Sequence, residues 1–290
     1  MHQKAKSLLI KTIDAFSPLA GALSSSGGAL IYTLTTTQVN VLCEVAIDIK
    51  DRLCTSKSSI VEKYVGQGIF CHDIVNLYPT LVKLIDFKLA NLVKEYLGTG
   101  AYLDKISLFM IPLNESYNEG SNQSDIWHHD SVGHRVKVFF PLTLDVGNKS
   151  FHEYRKNSNF IKPTSYLNAV NEKGLRIDQI YDNFEVLRFK LEQGKALVID
   201  THGVHRGIYN SYNGIRASIQ LEFSSKFKRY IRGYVGPVEY TLPEYVCDEL
   251  KGLGLINPKL IELINKGVIL HKGRRLMNNE KISIQELIKI

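Results

Sequence analysis

The chain has little cysteine, and its four cysteines do not form a metal-binding pattern. Cys43, Cys54, Cys71 and Cys247 include no CxxC pair. Because thiolate zinc sites are usually built from closely spaced cysteine pairs, this spacing argues against such a site. We expect buried free thiols in a reducing compartment.

The sequence also lacks a long apolar run. No stretch approaches the roughly 18 consecutive apolar residues that a membrane helix requires. Residues 8–10 are apolar, but Lys11 and Asp14 interrupt this run before it reaches the length of a signal-peptide core. We therefore expect a cytoplasmic protein without a membrane span.

The composition is that of a soluble globular protein with a basic balance. The 290 residues are 44% hydrophobic and 22% charged, and the formal net charge is +7. The basic residues form only short clusters, at 226–229 and 272–275, which are typical of a solvated surface. We expect no nucleic-acid partner, and the basic balance favours a small-molecule substrate that is anionic.

Apolar spacing divides the chain, which we interpret as a single domain over residues 1–290, into three parts. Helical spacing dominates residues 1–100, for example at Val39, Leu42, Ala46 and Ile49 and over 81–93, and it returns in residues 236–290, for example over 260–264. The core, residues 101–235, contains segments rich in β-branched and aromatic residues, which predict strands over 105–112, 136–142, 184–191, 195–199 and 215–223. Successive strands without regular intervening helices predict an antiparallel barrel or sandwich with helical flanks.

A histidine and a carboxylate two residues apart form the most informative motif. His128 and Asp130 would point to the same side of an extended chain and could bind one metal ion together. A third ligand could come from His205, which follows a predicted strand, although His202 competes for this role. Two histidines and one carboxylate on one face of an ion form the facial triad of non-haem Fe(II) oxygenases, which leaves three positions for cosubstrate and oxygen.

An arginine downstream adds a possible anion site. Arg216 lies in a strand of alternating character, in which Arg216, Ser218, Gln220 and Glu222 share one face. Arg216 and Ser218 could together bind a carboxylate, through a bidentate salt bridge and a further hydrogen bond. The alternative is that this polar face is simply exposed to solvent.

Three segments resemble the phytanoyl-CoA dioxygenase family of Fe(II)/2-oxoglutarate oxygenases. They are residues 127–130 (WHHD), 134–146 (HRVKVFFPLTLDV) and 196–223. The last segment contains the DTHGVHRG sequence. The resemblance covers about 105–225 and implies a double-stranded β-helix, a jelly-roll or cupin-like barrel. It also implies that His128, Asp130 and His205 bind iron, which selects His205 over His202, and that Arg216 binds the cosubstrate.

Other residues near these motifs are weaker candidates. Lys137 either contacts the cosubstrate or an anionic substrate, or points to solvent. Thr201 could support the site with a hydrogen bond, and Trp127 either lines the pocket or packs under the barrel.

The resemblance implies oxidation of a small organic substrate with release of succinate and carbon dioxide. Related halogenases lack a carboxylate at the position of Asp130, so its presence here favours hydroxylation. After residue 146 the chain departs from the turn sequences that the family often carries. Two alternatives are a non-catalytic metal-binding barrel that acts as a sensor or structural protein, and a cupin-type metal-dependent hydrolase or isomerase.

Overall fold

A computed structural model describes the core and parts of both flanks. The described residues are 20–54, 63–65, 68–71, 74–113, 125–130, 134–142, 149–160, 183–210, 214–225, 244–255, 270–271 and 274–276.

In the described part of the chain, antiparallel strands form two sheets and a separate small hairpin. The larger sheet has the order β1-β8-β5-β10-β4-β3-β2, the smaller one β7-β6-β9, and β11 pairs with β12. The bounds of the strands are β1 (Ala29–Thr33), β2 (Lys63–Val65), β3 (Gly68–Cys71), β4 (Tyr102–Leu113), β5 (Arg135–Leu142), β6 (Lys149–Arg155), β7 (Val186–Lys190), β8 (Lys195–Asp200), β9 (His205–Asn210), β10 (Gly214–Ser224), β11 (Leu270–His271) and β12 (Arg274–Leu276).

Helices precede and follow the central strands. They are α1 (Gly21–Ser25), α2 (Thr36–Cys54), α3 (Ile74–Leu77), α4 (Phe87–Leu97) and α5 (Glu244–Gly252), with 3₁₀ helices at Pro79–Leu84 and Ser158–Phe160. None of these described helices is long and apolar enough to cross a membrane.

Successive side chains of β5 point to opposite faces of the larger sheet, one covered by helices and one facing inward. Val136, Val138 and Phe140 are fully buried in a core that also contains apolar residues of α2 and α4. Because successive strand residues point to opposite faces, Arg135 and Lys137 point the other way. The helices therefore cover one face of the larger sheet and leave the opposite face for the site.

The inward face of the larger sheet packs on the smaller sheet. Phe139, Leu197 and Ile199 of the larger sheet share a buried apolar cluster with Tyr154 of β6. The rings of Phe139 and His152 lie 4.6 Å apart across the same space. Two facing antiparallel sheets with this strand order form a double-stranded β-helix, as predicted, although among the described strands no ladder closes them into a barrel.

The five predicted strands are confirmed as β4, β5, β7, β8 and β10, but two core strands were missed. In β6, charged residues interrupt the apolar alternation (KSFHEYR), and β9 is short and contains Gly207. Neither strand therefore has the run of apolar β-branched residues on which the prediction relied.

The flanks contain strands as well as helices. Helical spacing predicted α2 correctly, but β1 lies in the predicted helical flank, where it pairs with β8 along five residues. The helical pattern over 81–93 is interrupted where Asp86 caps α4, since its carboxylate accepts a hydrogen bond from the backbone amide of Leu89 at 2.8 Å. In the C-terminal flank, α5 is helical as expected, β11 and β12 are not, and the helical pattern over 260–264 lies outside the described residues.

Two of the cysteines are described as free thiols. Cys247 is buried, whereas Cys43 is only half-buried. The side chains of Cys54 and Cys71 lie outside the described part of the chain.

Candidate metal centre

Two backbone hydrogen bonds place His128 and His205 side by side. The amide of His128 donates to the carbonyl of His205 at 3.0 Å, and the amide of His205 donates to the carbonyl of His128 at 2.9 Å. This antiparallel bridge joins the segment 125–130 to the first residue of β9. Directly opposed residues of a bridge present their side chains on the same side, and the two imidazole rings lie 4.5 Å apart.

Asp130 completes a group of three ligand atoms. Its Oδ1 lies 3.7 Å from Nε2 of His128 and 3.8 Å from Nε2 of His205. One ligand atom from each residue lies within 4.8 Å of the others. Since metal–ligand bonds are about 2.1 Å long, two ligand atoms up to about 4.2 Å apart can share one ion, and both distances from Oδ1 of Asp130 lie below this limit.

Both histidines have the tautomer that a metal ion requires. Nδ1 of His128 lies 2.7 Å from the carbonyl oxygen of Ile126, and Nδ1 of His205 lies 3.0 Å from that of Gly203. A carbonyl oxygen only accepts, so each Nδ1 carries the proton and each Nε2 keeps a lone pair. Burial and the neighbouring His128 lower the pKa of His205 to about 3, so its imidazole is neutral at neutral pH.

The two oxygens of Asp130 have different surroundings. Oδ1 faces the histidines, whereas Oδ2 lies 2.9 Å from Nη2 of Arg135 and 2.9 Å from Nζ of Lys137. Burial alone would raise the pKa of Asp130, but Lys137 and Arg135 hold it well below its ordinary value. The carboxylate is therefore ionised, with one oxygen directed at the ligand group and one held by cations.

Lys137 and Thr201 lie behind the ligand group. The Lys137 side chain is only 12% exposed, which contradicts the alternative that it points to solvent. Thr201 is fully buried, and its hydroxyl accepts a hydrogen bond from Nε of Arg135 at 3.3 Å. The carbonyl of Thr201 also accepts from the amide of Asp130 at 3.1 Å, so Thr201 supports the aspartate from two directions.

His202 lies apart from the group of three. Its ring packs 4.9 Å from that of His134, and among the described residues only His128, Asp130 and His205 form a group that could hold a metal ion. The turn that separates His202 from His205 is tightly packed, because a Cβ at Gly203 would overlap the hydroxyl of Tyr154.

The described side chains on the polar face of β10 are buried, which contradicts the alternative that this face is exposed to solvent. The exposed fractions of Ser218, Gln220 and Glu222 are 2%, 4% and 9%. Gln220 Nε2 donates to the hydroxyl of Ser218 at 3.4 Å. Arg216 lies two residues before Ser218 in β10, opposite Ile111, and its side chain lies outside the described part of the chain.

Asp200 at the end of β8 ties the site to the helices. Its Oδ2 accepts a hydrogen bond from Tyr96 Oη at 2.6 Å and lies 2.5 Å from Nδ1 of His134. Its Oδ1 accepts from the backbone amides of His202 at 2.9 Å and Arg135 at 3.2 Å. One fully buried carboxylate thus joins α4, β5 and the turn that leads to His205.

Trp127 packs on the smaller sheet and does not belong to the ligand group. The guanidinium groups of Arg155 and Arg206 lie 4.5 Å and 4.6 Å from the centre of its ring. Nε of Arg206 also donates to Glu153, which is 2% exposed and pairs with Arg188 as well. Stacking of this kind fixes the chain immediately before His128.

Three residues that no sequence motif selects also belong to the site: Arg135, Asp200 and Glu222. Each carries a weak signal: Arg135 alternates with Lys137 on β5, Glu222 shares the polar face of Ser218, and Asp200 ends an apolar strand. None of these signals indicates which residue on another element each side chain contacts. The structure shows these contacts.

The comparisons show a likeness of fold to solved structures of distant sequence. No protein-family model and no curated protein sequence matches the chain. EvdMO1 has a TM-score of 0.50 and 15% sequence identity, over 69% of this chain and 48% of that one. EctD from S. alaskensis with bound Fe has a TM-score of 0.49 and 13% identity, over 73% and 78% of the two chains. The non-heme alpha ketoglutarate dependent epimerase SnoN from nogalamycin biosynthesis has a TM-score of 0.48 and 15% identity, over 76% and 83%.

Proposed function

We propose that the chain is an Fe(II)/2-oxoglutarate-dependent dioxygenase that hydroxylates a small organic substrate, with succinate and carbon dioxide as coproducts. The convergence of Nε2 of His128, Oδ1 of Asp130 and Nε2 of His205 carries this proposal. The resemblance of residues 105–225 to the phytanoyl-CoA dioxygenase family supports it.

The donor set fits iron(II). Two imidazole nitrogens and one carboxylate oxygen are the facial set of non-haem iron oxygenases, and no thiolate competes within this group. His128, Asp130 and His205 would hold the ion, which when bound supplies the redox chemistry for activating dioxygen. The Nδ1 hydrogen bonds of both histidines keep each ring in the required tautomer and orientation.

The cosubstrate would lie along the inward face of β10. Its far carboxylate would bind the guanidinium of Arg216 and the hydroxyl of Ser218, which follows two residues later on the strand. The burial of Ser218 and Gln220 supports a carboxylate subsite here, because charge-assisted hydrogen bonds are strongest where water is excluded. Lys137 adds a cation between this face and the metal ligands.

The carboxylate of Asp130 favours oxygen transfer over halogenation. Three protein ligands leave three positions of an octahedral ion for the cosubstrate and dioxygen. A halide would need a position that Asp130 fills.

The proposal predicts coupled oxygen incorporation. With iron(II), 2-oxoglutarate and labelled dioxygen, a screen of candidate acidic and neutral small molecules should find a substrate whose turnover releases succinate. Mass spectrometry should detect one oxygen-18 atom in the product and one in succinate, even in high chloride.

The outcome discriminates between the alternatives. A chlorinated product would contradict the role given to Asp130, and a product formed without succinate would indicate a hydrolase or isomerase. Metal binding without consumption of 2-oxoglutarate for any substrate would favour a sensor or structural protein.

A further inference from the structure

The candidate ligand Asp130 also belongs to a ring of four alternating charges, Asp130–Arg135–Glu222–Lys137. Arg135 binds Asp130 through Nη2 at 2.9 Å and Glu222 through Nη1 at 2.7 Å. Lys137 lies 2.9 Å from Oδ2 of Asp130 and 3.4 Å from Oε1 of Glu222. Each cation therefore bridges the same two carboxylates.

The register of the sheet fixes three members of the ring. Arg135 and Lys137 are two residues apart on β5, and Glu222 on β10 lies directly opposite Lys137. Their side chains are 9%, 12% and 11% exposed. In these surroundings an uncompensated charge would be costly, so the pairing is unlike that of a solvated surface salt bridge.

We propose that Glu222 is a positioning residue that lowers the net positive charge of this ring, so that the ligand group can bind a divalent cation. This inference rests on the proposed function. Glu222 neutralises one of the two cations that hold Oδ2 of Asp130. With Glu222 in place, Arg135 and Lys137 bind Oδ2 and leave Oδ1 as the single oxygen offered to the metal ion.

The charges of the surroundings agree with this role. The two carboxylates and two cations of the ring cancel, so the ring adds no net charge to that of the divalent ion, the dianionic keto acid and Arg216. On β4, Asp104 and Lys105 add one charge of each sign and do not disturb the balance. Without Glu222, the ligand group would face an excess positive charge, which repels a metal ion.

Binding of Co(II) to the full-length protein, measured by titration calorimetry, tests the proposal without turnover. Glu222→Gln should weaken Co(II) binding by at least about tenfold, since it removes a nearby negative charge from a site of low polarity. Arg135→Met should strengthen it, and Arg135→Met combined with Glu222→Gln should return it to within about threefold of the unmodified protein. Affinity would then follow net charge, a rescue that a merely structural role does not predict.

Glu192→Gln is the control. Glu192 is also paired with two cations, Lys190 and Lys195, but it is half exposed and lies outside the ligand group and the ring, so this variant should keep the unmodified Co(II) affinity. If Glu222→Gln does not fold, the other two variants still test the proposal. The double variant should bind Co(II) more weakly than Arg135→Met alone.

Two results would overturn the proposal, and a third would refute the proposed function. Unchanged Co(II) affinity in Glu222→Gln overturns the proposal, and so does a double variant as weak as Glu222→Gln. Absence of Co(II) binding to the unmodified protein would instead refute the proposed function from which the inference starts.

Discussion

His205→Ala is expected to weaken Co(II) and iron(II) binding by more than about 100-fold and to abolish 2-oxoglutarate turnover. The substitution removes one of three ligand atoms but keeps the backbone bridge to His128, so the remaining ligands stay in place. Titration calorimetry with Co(II) measures the effect directly.

His202→Ala is the control for this prediction. His202 precedes His205 by three residues and is also buried, but its ring packs on His134. We expect its metal affinity to stay within about threefold of the unmodified protein. The ligand assignment fails if His202→Ala loses the metal and His205→Ala retains it.

Asp200→Ala is expected to lower the free energy of unfolding by about 3–5 kcal/mol, the usual cost of removing one partner from a buried charged network. The substitution leaves Tyr96, His134 and two backbone amides without their shared acceptor. Urea denaturation measures the loss. Asp248→Ala, which removes an exposed carboxylate paired only with Lys251, should change stability by less than about 0.5 kcal/mol.

The same carboxylate gives stability a defined pH dependence. Burial would raise the pKa of Asp200. The neighbouring His134 and the hydrogen bonds that the Asp200 carboxylate accepts hold this pKa below its ordinary value. A carboxylate whose pKa is lowered by folding stabilises the fold above its unfolded pKa, about 3.9. This contribution is lost as the pH falls below that value, so the stability gap between the unmodified protein and Asp200→Ala should narrow in acid. A gap that stays constant from pH 7 to pH 3 would contradict the account of Asp200.

Local patterns predicted the parts of the fold that depend on short stretches of sequence. The alternation of Ile215, Ala217 and Ile219 with polar residues defines β10, and the two-residue spacing of His128 and Asp130 suggests a shared site. Both signals lie within one element, where side-chain direction follows from backbone period alone.

Long-range pairing was not predictable in the same way. Glu222 meets Arg135 across 87 residues, and Tyr96 meets Asp200 across 104. These contacts depend on which strands become neighbours and in what register, and a polar residue on an alternating strand looks the same whether its face is solvated or buried. The sequence therefore left open the burial of Ser218, which the position of β10 between β5 and β4 decides.

The most direct test of the central claim is the binding of 2-oxoglutarate, titrated without oxygen into iron(II)-loaded and metal-free protein. We predict binding that is at least tenfold tighter with iron(II), because the keto acid would bind the ion at one end and β10 at the other. In iron-loaded Arg216→Ala the affinity should fall by roughly 10- to 100-fold, as expected for a lost charge-assisted pair. Equal affinity with and without the metal, or no binding to the iron-loaded protein, would contradict the account.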